Sequence, residues 1–134
     1  MITRTANCHC GALVLSCQGE PEEVVQCHCQ ACQRRTGSAF NLAAWFSLKN
    51  VEIKGETHSY TRSGDLDIPT TFYFCPDCGS NVYWTSEPEM IGVAVGCFAD
   101  PEFPGPTVSI YDALRHVWVS KLPIETYATN GESE

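Results

Sequence analysis

Residues Thr70-Thr71-Phe72-Tyr73-Phe74-Cys75-Pro76-Asp77-Cys78-Gly79-Ser80-Asn81-Val82-Tyr83-Trp84-Thr85 place β-branched and aromatic side chains on both sides of a C-P-D-C-G turn. Residues of these types fit a pleated, half-buried surface, and runs of them bounded by turn residues read as strands. The proline presets φ for the turn and Gly79 is free to take φ > 0, so backbone N–H groups can point at the two sulfurs and favour their thiolate form. Strand, knuckle, strand is the hairpin of a zinc ribbon, and it sets the expectation of a mainly β chain built from short strands.

Toward the N-terminus the same pattern continues. Val51–Lys54 alternates before Gly55, and His58–Arg62 alternates before Ser63-Gly64-Asp65, so both read as half-exposed strands. Ser38–Phe46 is apolar enough for a buried strand, although periodicity alone does not separate it from a helix. Ala12–Cys17 reads as a strand ending at Gln18-Gly19-Glu20-Pro21, and Glu22–Gln26 as a second that delivers Cys27 and Cys29. Cys29–Thr36 reads as one or two helical turns stopped by Gly37. Toward the C-terminus, strands are expected at Met90–Phe98 and Arg115–Ser120, separated by the proline-rich stretch Asp100–Pro106, and the tail Asn130–Glu134 should be loose.

The 134 residues are enough for one hydrophobic core. No internal repeat, low-complexity segment or linker divides them, so a single domain over residues 1–134 is expected. An apolar content of 43% beside 18% charged residues fits a globular protein, and no apolar run approaches the ~20 residues of a membrane span. Met1–Asn7 contains no apolar core of a secretory signal, which points to the cytoplasm. The formal charge of −8 disfavours nucleic acid as a partner, because a phosphate backbone rewards a basic face.

Nine cysteines are many for a reducing compartment, where thiols persist as metal ligands or nucleophiles more often than as disulfides. By spacing they fall into a pair (Cys8, Cys10), a trio (Cys27, Cys29, Cys32), a second pair (Cys75, Cys78) and two singles, Cys17 and Cys97. Two pairs make one closed tetrahedron, a structural zinc joining Cys8 and Cys10 to Cys75 and Cys78. The competing reading keeps the pairs in separate sites or makes Cys8 and Cys10 buried apolar residues. The trio is an incomplete tetrahedron and suggests an open, catalytic zinc, unless Cys17, Cys97, His9 or His28 closes it into a second structural site. His28 lies between two ligands, so in an extended segment its ring should point away from them.

Four segments then carry a resemblance. C-x-C-G at Cys8, C-H-C-x-x-C-x-R-x-x-G-S from Cys27, C-x-x-C-G-S from Cys75, and Gly96-Cys97-Phe98-Ala99-Asp100-Pro101 in place of a G-x-x-D-x-P segment occur in that order. Together they resemble the glutathione-dependent formaldehyde-activating enzyme (S-(hydroxymethyl)glutathione synthase) family, which includes centromere protein V, over about residues 7 to 120. The resemblance implies a β-tent of antiparallel sheets. It also implies two zincs, a structural one on Cys8, Cys10, Cys75 and Cys78 and a catalytic one on Cys27, Cys29 and Cys32. The activity implied is that of a carbon–sulfur lyase acting on an adduct of glutathione, or a similar thiol, with formaldehyde or a related aldehyde. Arg34 and Arg35 are the cations nearest the trio and are candidates for bidentate contact with a carboxylate of the thiol substrate. The alternative class is a non-catalytic zinc module that binds a protein partner.

Overall fold

The computed structural model describes residues 1–64 and 68–131. The fold is mainly β, as the β-branched and aromatic runs require. The chain packs as two compact units, Met1–Glu22 with Ala44–Phe103, and Glu23–Ala43 with the residues from Pro104 onward.

The first unit opens with a strand that its polar sequence does not announce, Thr3–Asn7 (β1). Val14–Gln18 (β2) pairs with it antiparallel, from Thr3 opposite Gln18 to Asn7 opposite Val14. Along β2 the two-residue period is clean: Leu15 and Cys17 are buried while Val14 and Ser16 are half-covered. Val51–Lys54 (β5) completes this antiparallel sheet in the order β1-β2-β5.

The same unit holds His58–Ser63 (β6), Pro69–Phe74 (β7), Asn81–Thr85 (β8) and Met90–Ala94 (β9), adjacent in the order β9-β8-β7-β6 and antiparallel at each step. The expected turn at Ser63–Asp65 lies partly outside the described residues. Trp84 stands opposite Gly92, and any Cβ on that glycine would collide with the indole, so glycine is what leaves room for Trp84 there. Phe46, Phe72, Val82, Trp84, Ile91 and Val93 fill the interior. The strand expected at Met90–Phe98 ends early, because Val95–Phe98 tightens into a 3₁₀ turn that exits through Ala99 at φ 49°.

The second unit contains Glu23–Cys27 (β3), the helix Gln30–Thr36 (α1), Val108–Ile110 (β10) and Glu125–Thr126 (β11). β10 runs parallel to β3, with Val108 opposite Val25 and Ile110 opposite Cys27, and it is also parallel to β11. The pairing in this unit is therefore parallel, where only antiparallel sheets were expected, because the long excursion from β3 to β10 allows the chain to return in the same direction. Asn41–Ser47 (β4) begins in this unit and ends in the first, which decides between the strand and helix readings of that apolar stretch.

Arg115–Ser120 is not a strand. Asp112–Leu114 is a 3₁₀ turn entered through Tyr111 at φ 57°, and the Val119 N–H then donates to His116 O at 3.0 Å. The Arg115 guanidinium bends the segment, donating to Asp112 Oδ1 at 2.9 Å and to Val119 O at 2.7 Å. Its Val117-Trp118-Val119 run consists of strand-favouring residue types, yet Val117 and Trp118 are 96% and 72% exposed. Among the described residues, no helix is long and apolar enough to cross a membrane.

Candidate metal centres and active site

The first cysteine group is made by two knuckles that face each other within the first unit. After β1 the chain folds back on itself, with Cys8 N–H on Leu13 O at 3.0 Å and Gly11, at φ 84°, donating to Cys8 O at 3.1 Å. After β7 the second knuckle repeats the device: Cys75 N–H meets Ser80 O at 3.0 Å, and Gly79, at φ 79°, donates to Cys75 O at 2.8 Å. Both glycines take a left-handed conformation that a side chain resists. The sulfurs are thereby brought together, Cys8 to Cys10 at 3.6 Å and Cys10 to Cys75 at 3.7 Å, and all four lie within 4.8 Å of one another.

Zinc–thiolate bonds of ~2.3 Å in a tetrahedron require sulfurs about 3.8 Å apart, which these separations match. The charges point the same way. Ser80 donates through its hydroxyl and its amide to hold the Cys78 thiol down at about 5, with help from the Cys10 amide. Cys10 is pushed up to about 12: the Ala12 N–H works in the other direction, but the neighbouring thiols of Cys8 and Cys75 outweigh it. Four clustered thiols cannot all ionise without a cation to offset them, and a dication does so. Burial raises Cys8, yet the Leu13 N–H at 3.2 Å and the thiols of Cys10 and Cys75 leave it lowered overall. Ser80, whose hydroxyl also accepts the His9 N–H at 3.1 Å, ties the two knuckles together, and its signal was present in the C-x-x-C-G-S motif.

The second group lies in the second unit. β3 carries Cys27 to its end, the His28 N–H donates to Ile110 O at 3.1 Å, and Cys29 caps α1 by accepting the Cys32 N–H on its sulfur at 3.3 Å. A cysteine cap followed three residues later by a helical cysteine brings both thiols to one end of the helix. Cys27, Cys29 and Cys32 lie within 4.8 Å of one another. The thiols of Cys29 and Cys32, together with burial, push Cys27 far up. Cys32 is also raised, since its bond with Cys27 favours the thiolate but Cys29 and burial weigh more heavily, and the Arg35 charge offsets part of this. This set too is sulfur-rich and compatible with zinc.

No further His, Cys, Asp or Glu among the described residues joins the trio. Cys17 is buried on β2, where burial pushes its thiol up to about 11, and the Cys97 sulfur sits 4.0 Å from Asn81 O with its thiol likewise raised to about 11 by burial. His28 is fully buried, its ring edge-on to Phe40 at 5.6 Å, and neither ring nitrogen has a hydrogen-bond partner among the described residues. Burial holds it neutral.

Arg34 and Arg35 occupy the last turn of α1, which Gly37 closes at φ 71° by donating to Gln33 O at 2.8 Å. Cations there complement the helix dipole, which is a structural role independent of any ligand. Arg34 is exposed and Arg35 half-buried. Sequence reasoning missed Gln33. Its amide donates to His28 O at 2.8 Å and to Leu114 O at 3.4 Å, while Oε1 meets His116 Nε2 at 2.7 Å, so it fastens α1 to the 114–116 turn. The available signal was a polar residue directly after a ligand on a short helix, which is too common to single out.

Fold and sites together define a mainly β protein with two thiol-rich groups, each able to hold a metal ion, one of four cysteines and one of three. The sequence model of the family described as glutathione-dependent formaldehyde-activating enzyme matches residues 3–114, and the chain belongs to that family. No curated protein matches the chain. A crystal structure of a Rhodobacter sphaeroides protein is similar in fold, with a TM-score of 0.51 at 21% identity, covering 92% of this chain and 98% of that one.

Proposed function

We propose that the protein makes and breaks the carbon–sulfur bond of an adduct between glutathione, or a similar low-molecular-weight thiol, and formaldehyde or a related small aldehyde. The carrying observation is the trio of Cys27, Cys29 and Cys32, gathered within 4.8 Å with no fourth ligand among the described residues. Family membership supplies the thiol and the aldehyde. In this reading Cys8, Cys10, Cys75 and Cys78 hold a structural zinc, and the trio holds a catalytic one.

Zinc bound by the trio would supply a Lewis-acid position with room for one more soft ligand. The chain's own residues set the rest. Three thiolates beside a dication leave a net charge of about −1, so the ligand's carboxylates need compensation from elsewhere. Arg34, exposed on the last turn of α1, can meet a carboxylate bidentately, and Arg35 adds positive potential toward Cys32. In the forward direction the thiol sulfur bonds to the aldehyde carbon, and the proton that the thiol gives up ends on the former carbonyl oxygen. The reverse returns that proton to sulfur as the bond breaks. Reading seven of the nine cysteines as metal ligands, not disulfides, supports a reducing compartment such as the cytoplasm.

Formaldehyde and glutathione also combine unaided, so the test is exchange between free and adducted glutathione followed by NMR with the uncatalysed rate subtracted. The wild type should accelerate exchange, and Cys32→Ala, still folded by circular dichroism, should not. A wild type with both zincs that neither accelerates exchange nor binds glutathione by calorimetry overturns the activity in favour of a protein-binding module.

A further inference from the structure

Residues Tyr111–Leu122 form a turn that is tied down at its base and bare at its tip. The N–H groups of Tyr111, Asp112 and Ala113 donate to the carbonyls of Thr129, Tyr127 and Ala128 at 2.9, 3.0 and 3.3 Å. Within the turn, the Arg115 bonds to Asp112 and Val119 clamp the two limbs together. At the tip Val117 and Trp118 face solvent, flanked in sequence by Leu114 and Leu122, which are 40% and 37% exposed. The indole is held in place: it meets the His116 ring edge-on at 5.3 Å and 83°.

His116 in turn bonds Gln33, which follows Cys32 on α1, and Gln33 also bonds Leu114 O. Trp118 is thus linked to the open trio through two side chains, both fixed by hydrogen bonds or ring packing. Holding a bare indole on a braced turn is costly unless something covers it, because large apolar side chains gain most when removed from water. The apolar tip is four side chains, small against the 20–30 residues a side of an ordinary protein interface. It suits the chain of a small molecule.

Resting on the proposed thiol-adduct chemistry, we infer that this turn receives the aldehyde-derived part of the substrate, and that the preferred aldehyde carries an apolar chain. The aldehyde-derived chain would leave from the sulfur at the trio, and Gln33, bonded both to His28 O between Cys27 and Cys29 and to His116, connects that point to the turn. Formaldehyde contributes only a hydroxymethyl group and leaves Trp118 uncovered. Each methylene fully removed from water strengthens binding about fourfold, so five extra carbons half-covered gain about thirtyfold.

The test is calorimetry of S-methylglutathione and S-hexylglutathione with the zinc-loaded protein. The wild type should bind the hexyl compound at least tenfold more tightly, on the order set by that methylene increment. Trp118→Ala should bring the ratio toward one, Trp118→Phe should keep most of it, and Tyr60→Ala, on the exposed face of β6, should leave it unchanged. NMR exchange of the hexanal and formaldehyde adducts, in which the carbon–sulfur bond breaks, the hydroxyl proton returns to sulfur and the aldehyde re-forms, should show the same order. Equal affinities for the two thioethers, or a ratio that Trp118→Ala does not alter, overturns the inference. If glutathione still binds and its formaldehyde adduct still exchanges, the proposed activity survives that result. If no glutathione compound binds at all, both fall together.

Discussion

Replacing both Cys75 and Cys78 by alanine removes the hairpin's two sulfurs from the closed group and unfastens the two knuckles, whereas a single replacement would leave three thiolates, as many as the trio has. Cys75 is fully buried, 3.7 Å from Cys10 and 65 positions away from it in sequence. Treated as a cross-link closing a loop of that length, the connection restricts the unfolded chain by about 4 kcal/mol. An unfolding entropy of about 2.1 cal/mol/K per residue gives about 0.28 kcal/mol/K for the chain, so the melting temperature should fall by about 14 °C. The assay is thermal unfolding by circular dichroism in reductant, beside a metal count on each preparation. A chelator should lower the melting temperature of the wild type by a similar amount and leave that of the variant nearly unmoved. A Cys75→Ala, Cys78→Ala protein that keeps the wild-type metal content and melts within a few degrees of it would show that the knuckles do not share a metal.

Mild chelation of the wild type should remove one metal before the other and keep the fold, because three protein ligands hold less firmly than four; X-ray absorption finding four protein sulfurs at both metals would contradict this. Gln33→Leu loses the bonds to His28 O and Leu114 O and should cost about 1–3 kcal/mol, read as a melting shift of several degrees, with faster amide exchange in residues 111–119. Burial raises the Cys17 thiol to about 11, above its value in the unfolded chain, so its contribution to stability is intact below the ordinary thiol range and fades as pH climbs toward 11. Cys17→Val should accordingly lose less stability than the wild type between pH 8 and 10.5 in denaturant titrations.

The cysteine framework was legible because metal ligands must recur at spacings that a turn or a helix can satisfy, and C-x-C, C-x-x-C and their flanking glycines state those turns directly. The hairpin around Cys75 and Cys78 was legible for the same reason, reinforced by aromatic residues on either side. β1 was not, since Thr3-Arg4-Thr5-Ala6-Asn7 buries Ala6 alone and owes its strand form to pairing with β2. β10 was hidden because its partner β3 lies far off in sequence and no local turn announces a parallel pair. The segment 115–120 deceived by composition: Val117-Trp118-Val119 are strand-favouring residue types, but Val117 and Trp118 are left in solvent, and the decisive contacts were Arg115 to Asp112 and Val119. The Gln33 link was invisible because its partners stand about 80 positions downstream.

The separation of the two knuckles has a consequence during synthesis. Cys8 and Cys10 leave the ribosome 65 residues ahead of their partner at position 75. At about 5–20 residues per second, that is roughly 3–13 s in which two thiols stand waiting with no counterpart to close around. The trio is compact and is translated inside that interval, so a scarce ion met by the nascent chain would find Cys27, Cys29 and Cys32 together first. With metal bound at both groups as proposed, its supply during translation would set the order in which they fill, and the group that needs the longest stretch of chain would be the last to close.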